Sequence, residues 1–391
     1  MVFTNKPKAR VIAYYLPQFH PIPENDKYWG KGFTEWTNVA KAKPLFFGHY
    51  QPQIPADLGF YDLRLPDVRE AQAQMARECG VEGFCYWHYW FGNGVKVLER
   101  PFDEVLKSGA PDFPFCLGWA NHDWNNKSWE KGKAFTPDVT IFRQEYPGDE
   151  DYIKHFYDVL PAFLDKRYIK VDDKPIFCIF NLKGIPGATH FMELWRRLAI
   201  ENGLKGIHFV ALAMSIPLIK KNNYRHIENE IMPRFNEYFA LGADAVNSIF
   251  LKYAEVKSDG LIKKGIKSFS RKYLEGLVLD KFKYDKISKY FYTIEDNMEN
   301  VYPQLLPRRD RSPRSGRKAT IYYGSTPEKF RVTVKKAIDC VKDKQEQHKI
   351  IFLNSWNEWG EGCYIEPDLV FEHGYLDVLR EELLNRIMLS W

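Results

Sequence analysis

The segment FLNSWNEWGEGCYIEPD, residues 352–368, sets Glu358, Glu361 and Glu366 within nine residues of one another. Trp356, Trp359 and Tyr364 stand among them, and the apolar run KIIFL leads straight in. Side chains three apart in a helical turn are neighbours, about 5–6 Å between Cβ atoms. Retaining glycosidases hold two carboxyl groups about 5–5.5 Å apart and inverting ones about 6.5–9.5 Å apart. A tight turn after a strand could therefore supply both groups from one segment. Like charges that close push one pKa up, which leaves a proton donor beside a base. Gly360 and Gly362 let the backbone turn tightly there. A solvated acidic loop is the plainer reading of an isolated Glu-x-x-Glu, but indoles and an apolar strand entry do not suit such a loop.

Other polar and aromatic groups follow apolar runs elsewhere. Tyr14, Tyr15, Gln18, Phe19 and His20, then Glu35 and Trp36, follow the first run; Trp87, His88, Tyr89 and Trp90 close the second. Asn121, His122, Asp123, Trp124 and Trp129 follow the third, and Asn181 ends the fourth. PRFNEYF carries Asn236, Glu237 and Tyr238, and Trp356, Asn357, Trp359 and Glu366 surround the acid pair. Indole faces cover the apolar side of a pyranose while amides and carboxylates bind its hydroxyls, so gathering at one rim is what a sugar site needs. A single Trp is more often core, and His208, inside a strand, reads as a satisfied core residue. His88 and His122 have no visible third partner of ligand type, so no metal is expected. GxGxxG after a strand, GxxxxGK[ST] and GxSxG are all missing, which disfavours flavin, nicotinamide and ATP chemistry and leaves no cofactor expected.

The elements that must position these residues are short apolar runs alternating with helical patterns. Strands are expected at 10–16, 83–90, 114–120, 175–180, 207–214, 245–250, 319–324 and 349–356. They read as continuous apolar runs, the pattern of parallel strands covered on both faces. Helices are expected at 66–79, opened by Pro66; at 191–203, closed by Gly203; at 326–343, with Thr326 as cap and Pro327 at the first position; and along the tail YLDVLREELLNRIML. Eight strands with helices between them predict an α/β chain folded as a (β/α)8 TIM-type barrel with elaborated rim loops. The expected organisation is one catalytic domain over 1–391, with a long Pro/Gly/aromatic loop at 17–60 and a Lys-rich insertion at about 251–318.

Composition narrows the class. The chain has 391 residues, 45% hydrophobic and 16% aromatic, and a net charge of +5. That surplus is too mild to argue for nucleic acid. It is local: residues 252–289 hold eleven Lys and Arg against five Asp and Glu. GLIKKGIKSFSRKYLEGLVLDKF, within 252–290, interleaves lysines with apolar residues, as a segment does that meets an anionic membrane face or a lipid-linked diphosphate; a solvated helix is the alternative. Cys79, Cys85, Cys116, Cys178, Cys340 and Cys363 form no CxxC pair, and three sit in apolar runs, which fits a reducing compartment. With no apolar signal core in MVFTNKPKAR, the expected location is the cytoplasm, free or at the inner membrane face.

YYLPQFHPIPENDKYWGKGFTEWTNV, HYQPQIPADLGFYDLR, GFCYWHYWF, RPFDEVLKSGAPDFPFCLGWAN and NSWNEWGEGCYIEPD together resemble the WbsX-like family. Its members carry a glycoside hydrolase family 99-like domain and occur in bacterial O-antigen, lipopolysaccharide and capsule synthesis. The resemblance covers nearly the whole chain and implies a (β/α)8 barrel acting on α-glycosidic, mannoside-like bonds of an oligo- or polysaccharide. It implies a retaining route through a 1,2-anhydro sugar. Glu358 would take the proton of the sugar 2-hydroxyl and Glu361 would serve as general acid and base, with Glu35 and Tyr15 in substrate-binding positions. Two departures stand out: Ala120-Asn121-His122-Asp123-Trp124 replaces an Ala-Asn-Glu-Asn-Trp pattern, and PRRDRSPR (307–314) has Arg308 and Arg309 where small or aromatic residues are usual. The alternatives to a hydrolase or transglycosidase are a glycosyltransferase of polysaccharide biosynthesis and a non-catalytic glycan-binding barrel.

Overall fold

The computed structural model describes residues 2–3, 6–125, 139–213, 228–274, 276–384 and 386–387. Trp129 and Met214, at the end of the fifth expected strand, lie outside the described residues. Eight parallel strands close into a barrel: β1 (Arg10–Tyr15), β2 (Val81–Trp90), β3 (Phe115–Trp119), β4 (Lys174–Ile179), β5 (His208–Ala213), β6 (Ala245–Ser248), β7 (Val301–Leu305) and β8 (Ile350–Leu353). Each pairs in parallel with the next, and β8 pairs with β1. Besides short helical turns in the loops, one longer helix follows each strand in turn: α1 (Pro66–Glu78), α2 (Arg100–Ser108), α3 (Asp149–Leu164), α4 (Ala188–Glu201), α5 (Ile231–Leu241), α6 (Leu251–Tyr273), α7 (Pro327–Val341) and α8 (Gly374–Leu383).

The strands are apolar on both faces because both are covered. Every residue of β5, β6, β7 and β8 is buried. Inside stand Cys85, Cys116 and Cys178; outside, Phe177 and Trp119 meet Trp195 and Phe191 of α4 and His155 of α3. The helix signals act as their chemistry dictates. Pro66 opens α1, and the Thr326 hydroxyl accepts from the Lys329 amide ahead of Pro327 in α7. The tail helix stops at Leu383, short of the expected run, and Arg386–Ile387 pairs with Val2–Phe3.

The seventh strand is the main correction. It is VYPQL, 301–305, between β6 and β8, and not 319–324. Proline within a run is a cue against a central strand, and Pro303 sits in the middle of this one. Its place inside the expected insertion at 251–318 divides that segment: α6 and a short strand come before β7, and the arginine run follows it. Thr320–Tyr323 instead forms the centre of a small sheet, parallel to Asp280–Lys283 and antiparallel to Arg309–Asp310. That sheet fixes the backbone that carries Arg309 and Asp310 over the barrel mouth.

Arg308 ties the β7 exit to the last helix. Its guanidinium lies between the rings of Tyr364 and Tyr375, 4.1 and 4.2 Å from their centroids, and donates to Asp368 at 2.5 Å and to the Tyr364 hydroxyl at 3.0 Å. Both ions are buried, so removing one leaves the other without its counter-charge. Arg308→Met is expected to destabilise the protein by about 3–5 kcal/mol, read from urea unfolding; an unchanged midpoint would show that this pair holds nothing.

Candidate active site

β8 ends at Leu353, and the chain folds into a closed turn over the barrel's C-terminal mouth. The Trp356 amide donates to Tyr14 of β1 at 2.8 Å, and Asn357 clasps the Leu16 backbone through both its amide nitrogen and its oxygen. Ser355 accepts from the Glu358 amide at 2.8 Å, the Cys363 amide returns to the Glu358 carbonyl, and Trp359–Glu361 makes one 3-10 turn. Both glycines are required. A Cβ on Gly360 would stand 2.5 Å from the Glu35 carboxylate; one on Gly362 would stand 2.8 Å from the Asp310 amide, at a φ of +57°.

This turn aims Glu358 and Glu361 at one guanidinium. Arg314 Nη1 lies 3.2 Å from Glu358 and 2.8 Å from Glu361, and Nη2 donates to Glu35 at 2.7 Å. Sharing one nitrogen caps the separation of those two oxygens at about 6 Å. Arg311 reaches Glu361 at 3.0 Å and Arg309 reaches it at 3.4 Å. The pair is thereby split electrostatically. Burial and the Glu361 charge push Glu358 up to about 7. Glu361 is as buried, but Arg311, Arg309 and Arg314 outweigh its desolvation and hold it down to about 2. Burial raises Glu35 as well, with Arg314 opposing.

A cavity of about 580 Å³ opens above the pair. Of the residues expected at the site, it is lined by Trp87, Tyr89, His122, Asp123, Trp124, Glu358 and Glu361. Trp87 stacks on Tyr14 at 4.8 Å, and Tyr89 meets Trp124 edge-on at 5.1 Å, so one wall is aromatic. Glu35 touches the site through Arg314 from below and is itself fully buried.

The others lie away from the cavity. The pleat alternates side chains between strand faces, so Tyr14 and Trp87 enter the barrel while Tyr15 and His88 point out. Tyr15 donates to Gln72 of α1, and His88 meets His155 of α3. Trp36 donates to the Tyr61 carbonyl and packs on Trp359. Trp359 stacks on Tyr364 at 3.5 Å and donates to Glu366, which also accepts from Gln72 and Tyr61. Burial pushes Glu366 up to about 7 behind this layer. Trp356 packs on Phe84, Asn357 fastens the turn, and Asn121 bridges Tyr146 and the Asn181 backbone. Asn181 packs against Gly184, while Asn236 and Glu237 lie exposed on α5, where Glu237 pairs with Lys183. Among the described residues no cluster of His, Cys, Asp and Glu could hold a metal ion.

The structure adds residues outside that set. Tyr14, Gln18, Lys252, Glu255 and Arg271 line the cavity, with Arg309, Arg311 and Arg314. Lys252, Glu255 and Arg271 arrive on α6. Arg309 was visible as a departure in PRRDRSPR, but nothing in that run says it folds back onto an acid pair 44 to 47 residues on. Asp310 anchors the run: it accepts from Gln51 at 2.5 Å and from the Ser312 amide at 2.9 Å, and its carboxylate lies 2.7 Å from His49 Nε2.

The family model described as Glycosyltransferase WbsX matches residues 11–379. The chain belongs to this family. It is 33% identical over 378 residues to the uncharacterized protein WxcX of Xanthomonas campestris pv. campestris, in each of two strains, across 96% of this chain. The chain spans about half the length of those curated relatives. Among solved structures, a GH99 endo-α-mannosidase from Bacteroides thetaiotaomicron in complex with bis-tris-propane superposes with a TM-score of 0.55 at 14% identity over 95% of both chains. A glycoside hydrolase-like protein gives 0.55 at 15% identity, over 98% of this chain and 96% of that one. At these identities the likeness is one of fold.

Gly360→Ala drives a methyl group into the Glu35 carboxylate, which Arg314 pins. It should cost about 1–3 kcal/mol of stability by thermal or urea unfolding, as overpacking does. A variant as stable as the parent would mean that the turn has room to spare.

Proposed function

We propose that this WbsX family member is a carbohydrate-active enzyme that breaks or remakes α-glycosidic bonds of a bacterial surface polysaccharide, with retention of configuration. The observation that carries the reading is the pair itself: two half-buried carboxylates whose facing oxygens lie within about 6 Å, beneath an aromatic-walled cavity at the C-terminal mouth of the barrel. Barrel strands raise reacting groups at this face, and the cavity has room for about one or two sugar rings. Membership of a family of glycosyltransferase description supports a sugar substrate, and the endo-α-mannosidase fold neighbour supports an α-linked one.

In this reading Glu358 takes the proton from the sugar 2-hydroxyl, the freed oxygen attacks C1, and the bond from C1 to the leaving oxygen breaks. Glu361 gives that oxygen its proton. The return step reverses the roles: Glu361 takes the proton of an incoming water or sugar hydroxyl, whose oxygen attacks C1 as the bond from C1 to the 2-oxygen breaks, and the 2-oxygen recovers its proton from Glu358. A carboxylate pushed to about 7 is matched to the base role near neutral pH. Transfer to a sugar acceptor rather than to water is the transglycosidase form of the same chemistry.

Glu358→Gln and Glu361→Gln should each cut turnover of α-mannoside oligosaccharides by about 10²–10⁴-fold, measured by product release. Because the reacting pair must hold one proton, with Glu358 ionised and Glu361 protonated, kcat/KM should stay level below about 7 and fall above it. Full activity in either variant, or a flat profile between about pH 5.5 and 8, would remove the pair from the chemistry.

A second reading concerns where the enzyme works. Ile262, Ile266, Phe269, Tyr273 and Leu277 all stand exposed along α6 and its exit, at near-helical spacing, with Lys263 and Lys272 beside them. An apolar stripe flanked by lysines suits the surface of an anionic bilayer at the cytoplasmic face. Among the described residues no helix is long and apolar enough to cross a membrane. Co-sedimentation with phosphatidylglycerol vesicles, lost in Ile266→Glu/Phe269→Glu and absent with phosphatidylcholine vesicles, is the expected result. Equal partition in both lipids would dismiss the contact.

A further inference from the structure

We propose that the cavity is built for a glycan carrying a negative group, a carboxylate or a phosphate, which Arg309 and Arg311 seat beside the acid pair. This rests on the reading of Glu358 and Glu361 as the reacting groups and names the substrate class they meet.

The first observation is a surplus of fixed positive charge. Arg309, Arg311 and Arg314 converge on Glu35, Glu358 and Glu361 from a segment of six residues. Arg314 alone satisfies the geometry, because its three donors span all three carboxylates. Arg309 and Arg311 both crowd onto Glu361, which already has that partner. Three guanidinium charges thus face three carboxylates, of which burial pushes Glu358 up to about 7 and raises Glu35 as well. A neutral sugar has no use for the excess, and drawing guanidinium groups out of water is costly without an anion to match.

The second observation is the placement of Arg311. Its side chain is 36% exposed and lines the cavity, yet its Nε is buried and meets no hydrogen-bond acceptor. Its contact with Glu361, 3.0 Å through Nη2, leaves the Nε side of the fork unused. A guanidinium fork suits the paired oxygens of carboxylate or phosphate. From across the cavity α6 contributes Lys252 and Arg271, each with an acidic neighbour of its own in Glu255 and Asp280.

The consequence bears on the chemistry. A substrate anion that draws Arg311 and Arg309 to itself strips counter-charge from Glu361, and that carboxylate then regains the proton it must donate. Without such an anion Glu361 stays ionised under three arginines. A charged substrate would therefore complete the acid as it binds, and neutral analogues would be poor substrates even where they fit.

Calorimetric titration of the full chain with methyl α-mannopyranoside, mannuronic acid and mannose 1-phosphate tests this. At least one charged probe should bind ten-fold or more tightly than the neutral one, and Arg311→Met should bring the two within about three-fold. Preference for the uronate would assign an acidic sugar; preference for the 1-phosphate would assign a phosphate- or diphosphate-linked one. An arm that needs no variant is salt: raising it should weaken the charged probe and spare the neutral one. Equal binding of neutral and charged probes, or a preference that survives Arg311→Met and high salt, overturns the inference. Turnover separates it from the reading beneath. Loss of activity in Glu358→Gln without anion preference sinks only the anion site. Anion preference with full activity in Glu358→Gln sinks only the acid pair.

Discussion

One guanidinium organises the mouth of this barrel. Arg314 sits almost wholly buried among Glu35, Glu358 and Glu361, donating to each. Three carboxylates brought this close out of water would repel strongly, and without a fixed counter-charge each would take up a proton or swing away. With Arg314 in place they hold a defined geometry and titrate far apart. The turn after β8, the short helix Glu35–Lys41 in the loop after β1 and the arginine run all meet at this side chain, and neither glycine of the turn could carry a Cβ without displacing a carboxylate or its scaffold.

Around that centre the barrel separates two tasks that one stretch of sequence mixes. Trp356, Trp359, Tyr364 and Glu366 form a buried layer beneath the turn, with Tyr61 and Gln72 closing the hydrogen bonds of Glu366. Glu358 and Glu361 face the opposite way, into the cavity. The lower layer sets the height and tilt of the upper pair, and Trp359, Tyr364 and Glu366 within it are paired as buried polar groups need to be. The aromatic wall that faces a ligand comes from other strands, in Tyr14, Trp87, Tyr89 and Trp124.

The β7 exit shows how an irregular segment can do much of a site's electrostatic work. Arg308, Arg309, Arg311 and Arg314 are near neighbours in the chain, yet Arg308 is a structural cation between two tyrosines while the other three converge on the acid pair. A short antiparallel pairing with Thr320–Tyr323, and Asp310 bonded to Gln51 and set against His49, fix which arginine points where.

Local chemistry was enough to read most of the scaffold from the sequence. Continuous apolar runs mark strands covered on both faces, proline and threonine mark helix starts, and the Glu-x-x-Glu at a strand exit, with Gly360 inside it and Gly362 after it, marks a turn able to present two carboxylates. Seven of the eight barrel strands follow from those signals. The eighth, VYPQL, does not, because closure of the barrel overrides the local cue that Pro303 gives. What tertiary structure alone decided is direction. A one-residue step along a strand reverses the face, so Tyr14 and Trp87 enter the cavity while Tyr15 and His88 serve the helices outside. Arginines some 45 residues before an acid pair reach it only because β7 and β8 are neighbours in a closed sheet. Residue type is a local property that sequence states outright; which charges come to lie 3 Å apart depends on how the whole chain closes.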